Sequence, residues 1–130
     1  MKPLRESGTR RRAWRYGLLA ETACVIALML QGYRVLARRY KTPLGEIDII
    51  ARRGTVLAFI EVKARASAER AAHAITPHQQ DRIGRGARAY LHHHPASAAP
   101  TIRFDAMLVE PWRWPVHLRD AWRPPRSDGF

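Results

Sequence analysis

The period of hydrophobic and polar positions changes several times along the chain, and each change marks an element. Residues 14 to 31 are largely apolar and stop before Gly32, which predicts a helix that is buried on most sides. Three apolar runs follow, at about 33 to 40, 45 to 52 and 55 to 65, with Pro- or Gly-containing turns between them. These runs predict three strands, and the short link between the last two predicts an antiparallel hairpin.

A second helix is predicted from the chemistry of its ends. Thr76 is a good N-cap, Pro77 occupies the first helical position and Gln79 completes a capping box. Pro95 ends the helix, because proline cannot continue one. Residues 102 to 109 then form a strand that is apolar enough to be buried. The predicted order of elements is helix, three strands, helix, strand.

The length of 130 residues allows one domain with a substantial core. Residues 1 to 13 are interpreted as a basic arm that is expected to be mobile, and residues 14 to 110 as the folded domain. Residues 111 to 130 hold four prolines and three tryptophans, which predicts an irregular tail. Its tryptophans either pack over the sheet or a second subunit, or stack on the bases of single-stranded nucleic acid.

Arginine dominates the charge of the chain. Of 23 basic residues 20 are arginine, and the formal net charge is +12. The planar guanidinium matches phosphate oxygens, so this composition favours nucleic acid as a partner over a membrane, although a GC-rich coding bias would also raise the arginine content. The residues predicted to contact nucleic acid lie on the arm and on the second helix: Arg10, Arg11, Arg12, Arg82, Arg85 and Arg88.

Two features bear on the compartment. Cys24 is the only cysteine, so no internal disulfide or zinc cluster can form, and a reducing cytoplasm is the simplest location. The apolar stretch from 23 to 30 is shorter than the roughly 20 residues that a membrane span requires. We therefore expect a cytoplasmic protein with no membrane partner. Three consecutive histidines, 92 to 94, are interpreted as surface groups rather than a transition-metal site.

Acidic residues interrupt two of the predicted strands. Glu46 and Asp48 share one face of the second strand, because side chains alternate along a strand, and Glu61 and Lys63 likewise share a face of the third. If the hairpin brings Asp48 and Glu61 to about 5 Å, their repulsion is roughly 3 kcal/mol at an effective dielectric of about 20. Either one carboxyl is then protonated or a divalent cation lies between them, and oxygen ligands suit Mg²⁺ or Mn²⁺.

Structural explanations of these charges stay open. Glu61 could form an ordinary ion pair with Lys63 on a solvated face, but its apolar neighbours predict a central strand. Glu21 is the one charged residue in the apolar part of the first helix. It either has a buried partner or lies on a wet stripe of that helix next to Thr22.

The order of these groups resembles a known nuclease pattern. A helical Glu21 precedes Gly45-Glu46-Ile47-Asp48, and Glu61-Val62-Lys63 follows. This order resembles the PD-(D/E)xK, or restriction-endonuclease-like, nuclease superfamily, particularly archaeal Holliday junction resolvases. The chain looks closer still to the YraN-like uncharacterised protein family (family 0102). Further stretches that carry the resemblance lie between residues 15 and 110: Gly32-Tyr33-Arg34-Val35-Leu36, Phe59-Ile60, Thr76-Pro77, Ala89-Tyr90-Leu91 and Arg103-Phe104-Asp105.

The resemblance implies an α/β fold with a restriction-endonuclease-like three-layer core, α-β-β-β-α-β, in which helices flank a mixed central sheet. By that analogy Asp48, Glu61 and the carbonyl of Val62 would hold Mg²⁺ or Mn²⁺. Lys63 would act on the attacking water. Glu21 would lie beside them as a further catalytic residue.

The same resemblance implies a metal-dependent endonuclease that hydrolyses DNA phosphodiesters, with branched or structured DNA as its substrate class. Glu46 would support the site or contact the substrate. The alternative is a non-catalytic nucleic-acid-binding module that retains the nuclease fold and keeps the acids for stability. The sequence does not distinguish DNA from RNA as the substrate, and it does not give the oligomeric state. Cutting of paired strands would favour a symmetric homodimer.

Overall fold

The structure is a computed structural model that describes residues 17–64, 75–95 and 101–123. Two helices and five strands lie in these segments. The first helix, α1, covers residues 17–30 of them, and the second, α2, is Pro77–His93. The strands are β1 (Arg34–Lys41), β2 (Glu46–Arg53), β3 (Val56–Ala64), β4 (Thr101–Val109) and β5 (Val116–Trp122).

The strands form one mixed sheet in the order β1-β2-β3-β4-β5. β3 and β4 are parallel, and the other three neighbouring pairs are antiparallel. The β2–β3 hairpin turns at Gly54, whose φ of 57° lies in the left-handed region that glycine adopts without strain. The predicted hairpin, the central position of β3 and the mixed sheet are therefore confirmed.

Alternate residues of β3 belong to two separate hydrophobic clusters. Leu57 and Phe59 pack with residues of α2, whereas Ala58 and Ile60 pack with residues of α1. Because successive side chains of a strand point to opposite faces, the two helices lie on opposite faces of the sheet. The layers are thus helix, sheet, helix, as expected for a restriction-endonuclease-like core. Burial on both faces explains why β3 is an almost unbroken apolar run.

The helices end and begin at the predicted signals. After α1 the N–H of Tyr33 donates to the carbonyl of Leu28 at 3.0 Å, across Gly32 with its φ of 88°, which is a Schellman ending. Before α2 the Thr76 side chain accepts from the N–H of Gln79, and the Gln79 side chain accepts from the N–H of Thr76. Both caps satisfy backbone groups that a helix end leaves without partners.

The prediction of an irregular tail after Pro111 is wrong for Val116–Trp122, which form β5 and pair with β4. Trp122 is buried with its ring centre 5.7 Å from that of Phe104, whereas Trp112 is fully exposed. β5 is an edge strand whose side chains are mostly exposed, so its formation depends on backbone pairing with β4 rather than on an apolar pattern. A composition rich in proline and tryptophan does not reveal such a strand.

The expectation that α1 is buried on most sides is also wrong. The sheet covers one face of the helix, including Ala20, Cys24 and Leu28. On the other side Leu19 and Leu30 are 70% and 75% exposed. In the part of the chain that the structure describes, neither helix is long and apolar enough to cross a membrane.

Candidate active site

The β2–β3 hairpin brings two carboxyl side chains to the same end of the sheet. The pairing of the two strands reaches Ile49 and Ile60, and Asp48 and Glu61 are the next residues along them. The two carboxyls are close enough to influence each other's ionisation. Oδ2 of Asp48 also accepts the backbone N–H of Val62 at 2.8 Å. Asp48 and Glu61, called the acidic pair below, are therefore brought together by the register of the sheet.

The surroundings of the acidic pair disfavour two negative charges. Burial, followed by the charge of Asp48, raises the pKa of Glu61 to about 7. Burial also raises the pKa of Asp48, and the negative charge of Glu21 adds to that effect. Without a bound cation, the pair is expected to retain one shared proton up to near-neutral pH. Protonation of one carboxyl was one of the two alternatives that the sequence predicts for such a contact.

Lys63 is buried beside the acidic pair. Its Nζ lies 3.3 Å from Oε1 of Glu61, and the residue is only 7% exposed. A buried ammonium group needs a negative partner, and Glu61 supplies it. The ion pair considered as a structural explanation is thus present, but it lies on the central strand and not on a solvated face.

Glu21 approaches the same end of the sheet from α1. It is 6% exposed and accepts two charged hydrogen bonds, from Nε of Arg38 at 3.1 Å and from Nε of Arg39 at 2.8 Å. Of the two alternatives left open by the sequence, a buried Glu21 with a partner is the one observed, and its two arginine partners are themselves partly exposed. The charge of Glu21 acts on Asp48, whose pKa it raises, although both carboxylate oxygens of Glu21 are bound to arginine.

A left-handed residue in β1 explains how two neighbouring arginines reach one carboxylate. In a regular strand Arg38 and Arg39 would face opposite sides of the sheet. Arg39 has a φ of 51°, which interrupts the alternation and turns both side chains toward Glu21. The β1–β2 register puts Arg39 opposite Asp48. These arginines could not be found from the sequence, because the alternation rule allows only one of them on the α1 side.

Two clefts open beside the acidic pair. The larger cleft, of about 320 Å³, lies against α1 and contains Glu21 and Asp48. The smaller cleft, of about 190 Å³, lies against α2 and contains Glu61 and Lys63. Glu46, exposed at the start of β2, lines both of them. The acids predicted from the sequence therefore surround the end of one hairpin and open to two clefts instead of one.

Close backbone packing holds α2 against this end of the sheet. A Cβ atom at Gly45 would overlap the carbonyl oxygen of Arg82, and one at Gly86 would lie 3.2 Å from the side chain of Ile47. These two glycines allow α2 to approach the β1–β2 turn. As a result, Arg82 borders the smaller cleft beside Glu61.

Two further arginines of α2 that are predicted to contact nucleic acid, Arg85 and Arg88, line neither of these clefts. Arg85 forms an exposed ion pair with Asp81 at 2.8 Å, one turn earlier on α2. Arg88 is partly buried on the same helix. Of the predicted arginines that the structure describes, only Arg82 lines a cleft beside the acidic pair. The basic arm at residues 1 to 13, with Arg10, Arg11 and Arg12, lies outside the described residues.

A second buried polar network lies where β4 meets β5. Asp105 is fully buried and accepts from Nε of Arg103 at 2.8 Å and from the backbone N–H of Asp120 at 2.9 Å. Nε2 of His117 lies 2.7 Å from its other oxygen, and Arg103 also donates to the hydroxyl of Tyr33. The network joins both strands to the end of α1. Two of the partners of Asp105, His117 and Asp120, lie on β5, so the wrong prediction of an irregular tail concealed this part of the network.

Comparison with known proteins gives the chain a family. The model of the uncharacterised protein family UPF0102 matches residues 20–109, a span that includes Glu21, the acidic pair and Lys63. The chain belongs to this family. The resemblance to family 0102 seen in the sequence is thereby confirmed.

Relatives in the UPF0102 family match most of the chain. A UPF0102 protein of Parvibaculum lavamentivorans is 54% identical over 112 residues, 86% of this chain and 84% of the relative. One of Methylorubrum extorquens is 50% identical over 123 residues, 94% and 96% of the two chains. A UPF0102 protein of Methylocella silvestris is 49% identical over 118 residues, which cover 91% of this chain and 95% of the relative. The similarity thus covers nearly the whole length of these proteins.

The donor groups of this UPF0102 protein can be compared with what a metal ion needs. Among the described residues no three His, Cys, Asp or Glu side chains are grouped to hold one ion. The acidic pair offers two adjacent carboxyls, with the backbone of Val62 next to them. Glu21 is occupied by its two arginines. Two carboxylates fit Mg²⁺ or Mn²⁺, since such ions bind through one or two carboxylates and keep several waters.

Proposed function

We propose that this UPF0102 protein is a metal-dependent endonuclease that hydrolyses the phosphodiesters of DNA, with branched or structured DNA as its substrate class. The observation that carries the proposal is the close approach of the partly buried Asp48 and Glu61 on adjacent strands, with Lys63 beside them. Burial raises the pKa of both carboxyls, and the charge of Asp48 raises that of Glu61 further, so the doubly charged state of the pair is disfavoured. Such perturbed groups in a cleft are typical of functional sites.

The acidic pair and Lys63 can be given separate roles in this reaction. Asp48, Glu61 and the carbonyl of Val62 would hold a divalent cation, and the cation would supply positive charge to the phosphodiester. Displacement of the shared proton would then leave both carboxylates ionised. Lys63 would lose part of its interaction with Glu61 and donate to a phosphate oxygen or orient the attacking water.

Basic side chains on either side of the acidic pair support a polyanionic substrate. Arg39 and Lys41 line the larger cleft, and Arg82 lines the smaller one. A phosphate of the substrate backbone would meet a cation on each side of the acids, which offsets their negative charge. Glu21 orients Arg39 for this role by a hydrogen bond of 2.8 Å. The formal charge of +12 acts in the same direction over a longer range.

A non-catalytic nucleic-acid-binding module is the second candidate. It is favoured by the way the polar groups satisfy one another: Asp48 accepts from Val62, and Glu61 pairs with Lys63. In that case the acids would only hold the ends of β2 and β3 together, and the arginines alone would carry the function.

Asp48→Asn separates the two candidates. The wild-type protein is expected to bind Mn²⁺ in isothermal titration calorimetry and to cut a four-way DNA junction when Mn²⁺ is added. Because the variant lacks one ligand and one negative charge, it should lose measurable Mn²⁺ binding. Its cleavage rate should fall by roughly 100-fold or more, the usual effect of removing one group that stabilises the transition state.

Asp120→Asn is the matched control. Asp120 is exposed on β5 with a φ of 54°, a conformation that asparagine tolerates, and among the described residues its side chain pairs with the exposed Arg123. This variant should bind Mn²⁺ and cut DNA as the wild type does. Salt-sensitive DNA binding without cleavage, unchanged by Mn²⁺ and by Asp48→Asn, would contradict the nuclease and support the binding module.

A further inference from the structure

Helix α1 is apolar on two opposite faces. Ala20, Cys24 and Leu28 pack against the sheet. On the far side Leu19, Ala23, Ile26 and Leu30 follow at spacings of four, three and four residues, which places them along one line of the helix surface. A helix that is apolar all round is normally covered on all sides, but this line faces outward, with Ile26 48% exposed.

The outer face of α1 carries no charge. Glu21 is the only charged residue in residues 17–30, and it is buried under the opposite side of the helix. In a chain with a formal charge of +12, an exposed surface without Lys or Arg is unusual. The cores of protein interfaces are depleted of charged residues in the same way.

Trp112 extends this face beyond the helix. It is fully exposed and lines an apolar cleft of about 360 Å³ together with Leu19 and Ala23. Tryptophan is among the residues most enriched in the centres of protein interfaces. The outer face is called the apolar stripe below, and its members are Leu19, Ala23, Ile26, Met29, Leu30 and Trp112.

The area of the apolar stripe is that of a stable interface. Its five large side chains are between 48% and 102% exposed. With about 200 Å² for each such side chain when fully exposed, they present roughly 700 Å² of apolar surface. The largest apolar patch of a typical monomer is about 300–600 Å², whereas each partner of a standard interface buries about 800 Å². The stripe therefore exceeds what a monomer usually exposes.

We infer that the apolar stripe is the interface of a homodimer, covered by the same stripe of a second copy of this chain. A patch without charge is complementary to itself, which a two-fold symmetric contact requires. Two copies of +12 repel each other over their basic surfaces, and contact through the stripe keeps those charges away from the interface. Four residues of α1 line the larger cleft and are not members of the stripe: Gly17, Leu18, Ala20 and Glu21. The dimer would leave the acidic pair accessible.

Sedimentation equilibrium of the full chain tests the dimer. The wild type should show twice the chain mass of 14.9 kDa at micromolar concentrations. Leu30→Glu should raise the dimer Kd by about 100-fold or more, because each interface would bury two unpaired carboxylates. Trp112→Ser should weaken the dimer as well. Because the Trp112 side chain is fully exposed, this substitution should not unfold the chain, so a weaker dimer would reflect the loss of an interface contact.

Matched variants make this test specific. Leu44→Glu places the same substitution at a leucine that is 61% exposed in the β1–β2 turn, away from the stripe, and should leave the dimer intact. A mixture of Leu30→Glu with Leu30→Lys should form a heterodimer. A monomeric wild type, or a dimer that resists both Leu30→Glu and Trp112→Ser, would overturn the inference. So would a monomer that floats with phospholipid vesicles only while the stripe is intact, because the stripe would then cover a membrane surface.

Discussion

The buried carboxyls of Glu61 and Asp105 have pKa values that are shifted in opposite directions. Burial raises both. Beside Glu61 the negative charge of Asp48 adds to the effect of burial, and the pKa of Glu61 reaches about 7. Around Asp105 the hydrogen bonds from His117 and Arg103 outweigh burial, so its pKa lies below the usual value. The lowered pKa of Asp105 is that of a group that stabilises the fold, whereas the raised pKa values of the acidic pair are typical of a functional site.

Asp105 predicts how stability changes at acid pH. Its folded pKa lies below the usual value of 3.8, so its contribution is complete above that pH and is lost as the pH falls through the folded pKa. Asp105→Asn should lower the free energy of unfolding at neutral pH by roughly 3–5 kcal/mol, because Arg103 loses its buried partner. The variant should also show a smaller further loss below pH 3.8 than the wild type. Urea denaturation across this pH range measures both effects. If the variant and the wild type were equally stable at neutral pH, the structural role of Asp105 would be contradicted.

At the scale of helices and strands, the positions where the helices end are set by neighbouring residues. The packing of α2 against the sheet is set by residues that are distant in sequence. The Schellman ending at Gly32 and the capping box at Thr76 follow from residues within a few positions of each other. The approach of α2 to the sheet depends on Gly45, whose missing side chain makes room for the backbone of Arg82 far along the chain. This contact sets the width of the smaller cleft, so it links the packing of the element to the candidate site.

Alanine substitutions at two glycines should change stability in opposite directions. Gly45→Ala should lower the free energy of unfolding by roughly 1–3 kcal/mol or more, because the new Cβ would overlap backbone atoms of α2 that cannot rotate away. Gly84→Ala should raise it by roughly 0.5–1 kcal/mol, since a Cβ there meets nothing within 4 Å and alanine favours the helix. Urea midpoints of the two variants give the comparison. A Gly45→Ala protein as stable as Gly84→Ala would show that the packing against α2 is looser than described.

For the whole molecule, charge and apolar surface lie in different places. Arg39, Lys41 and Arg82 border the clefts beside the acidic pair, while the apolar stripe on α1 is free of charge. A dimer formed through the stripe would present two basic surfaces to one polyanion. This arrangement fits a protein that acts on paired or branched strands, as proposed above.

DNA affinity should depend strongly on salt if the basic surface binds phosphates. The logarithm of the binding constant is expected to fall linearly with the logarithm of the salt concentration, by about 0.9 for each phosphate contacted. Arg82→Gln should reduce the slope by about one, because it removes one phosphate contact. Fluorescence anisotropy with a labelled junction in the absence of divalent ions measures the slopes. Arg113→Gln, which lies by Trp112 and not by the acidic pair, should leave the slope unchanged.

Much of the fold follows from local sequence, and part of the candidate site does too. A two-residue hairpin turn and the register it sets are enough to bring Asp48 and Glu61 to the same end of adjacent strands, with Lys63 two residues further on. The order of helices and strands up to β4 is confirmed for the same reason. β5 was not predictable in this way, because its residues are held by pairing with β4 and carry little apolar pattern of their own.

The order of residues along the chain is enough to establish which groups the protein has: an acid-bearing hairpin, a capped second helix, a basic composition and one family. These depend on residue types and on contacts over a few positions, so they can be worked out along the chain. The way in which distant groups combine is seen only in the folded protein. The fold turned Arg38 and Arg39 together toward Glu21, joined Asp105 to His117, and left the outer face of α1 uncovered. Such outcomes depend on strand irregularities and packing between remote segments, which no local pattern records.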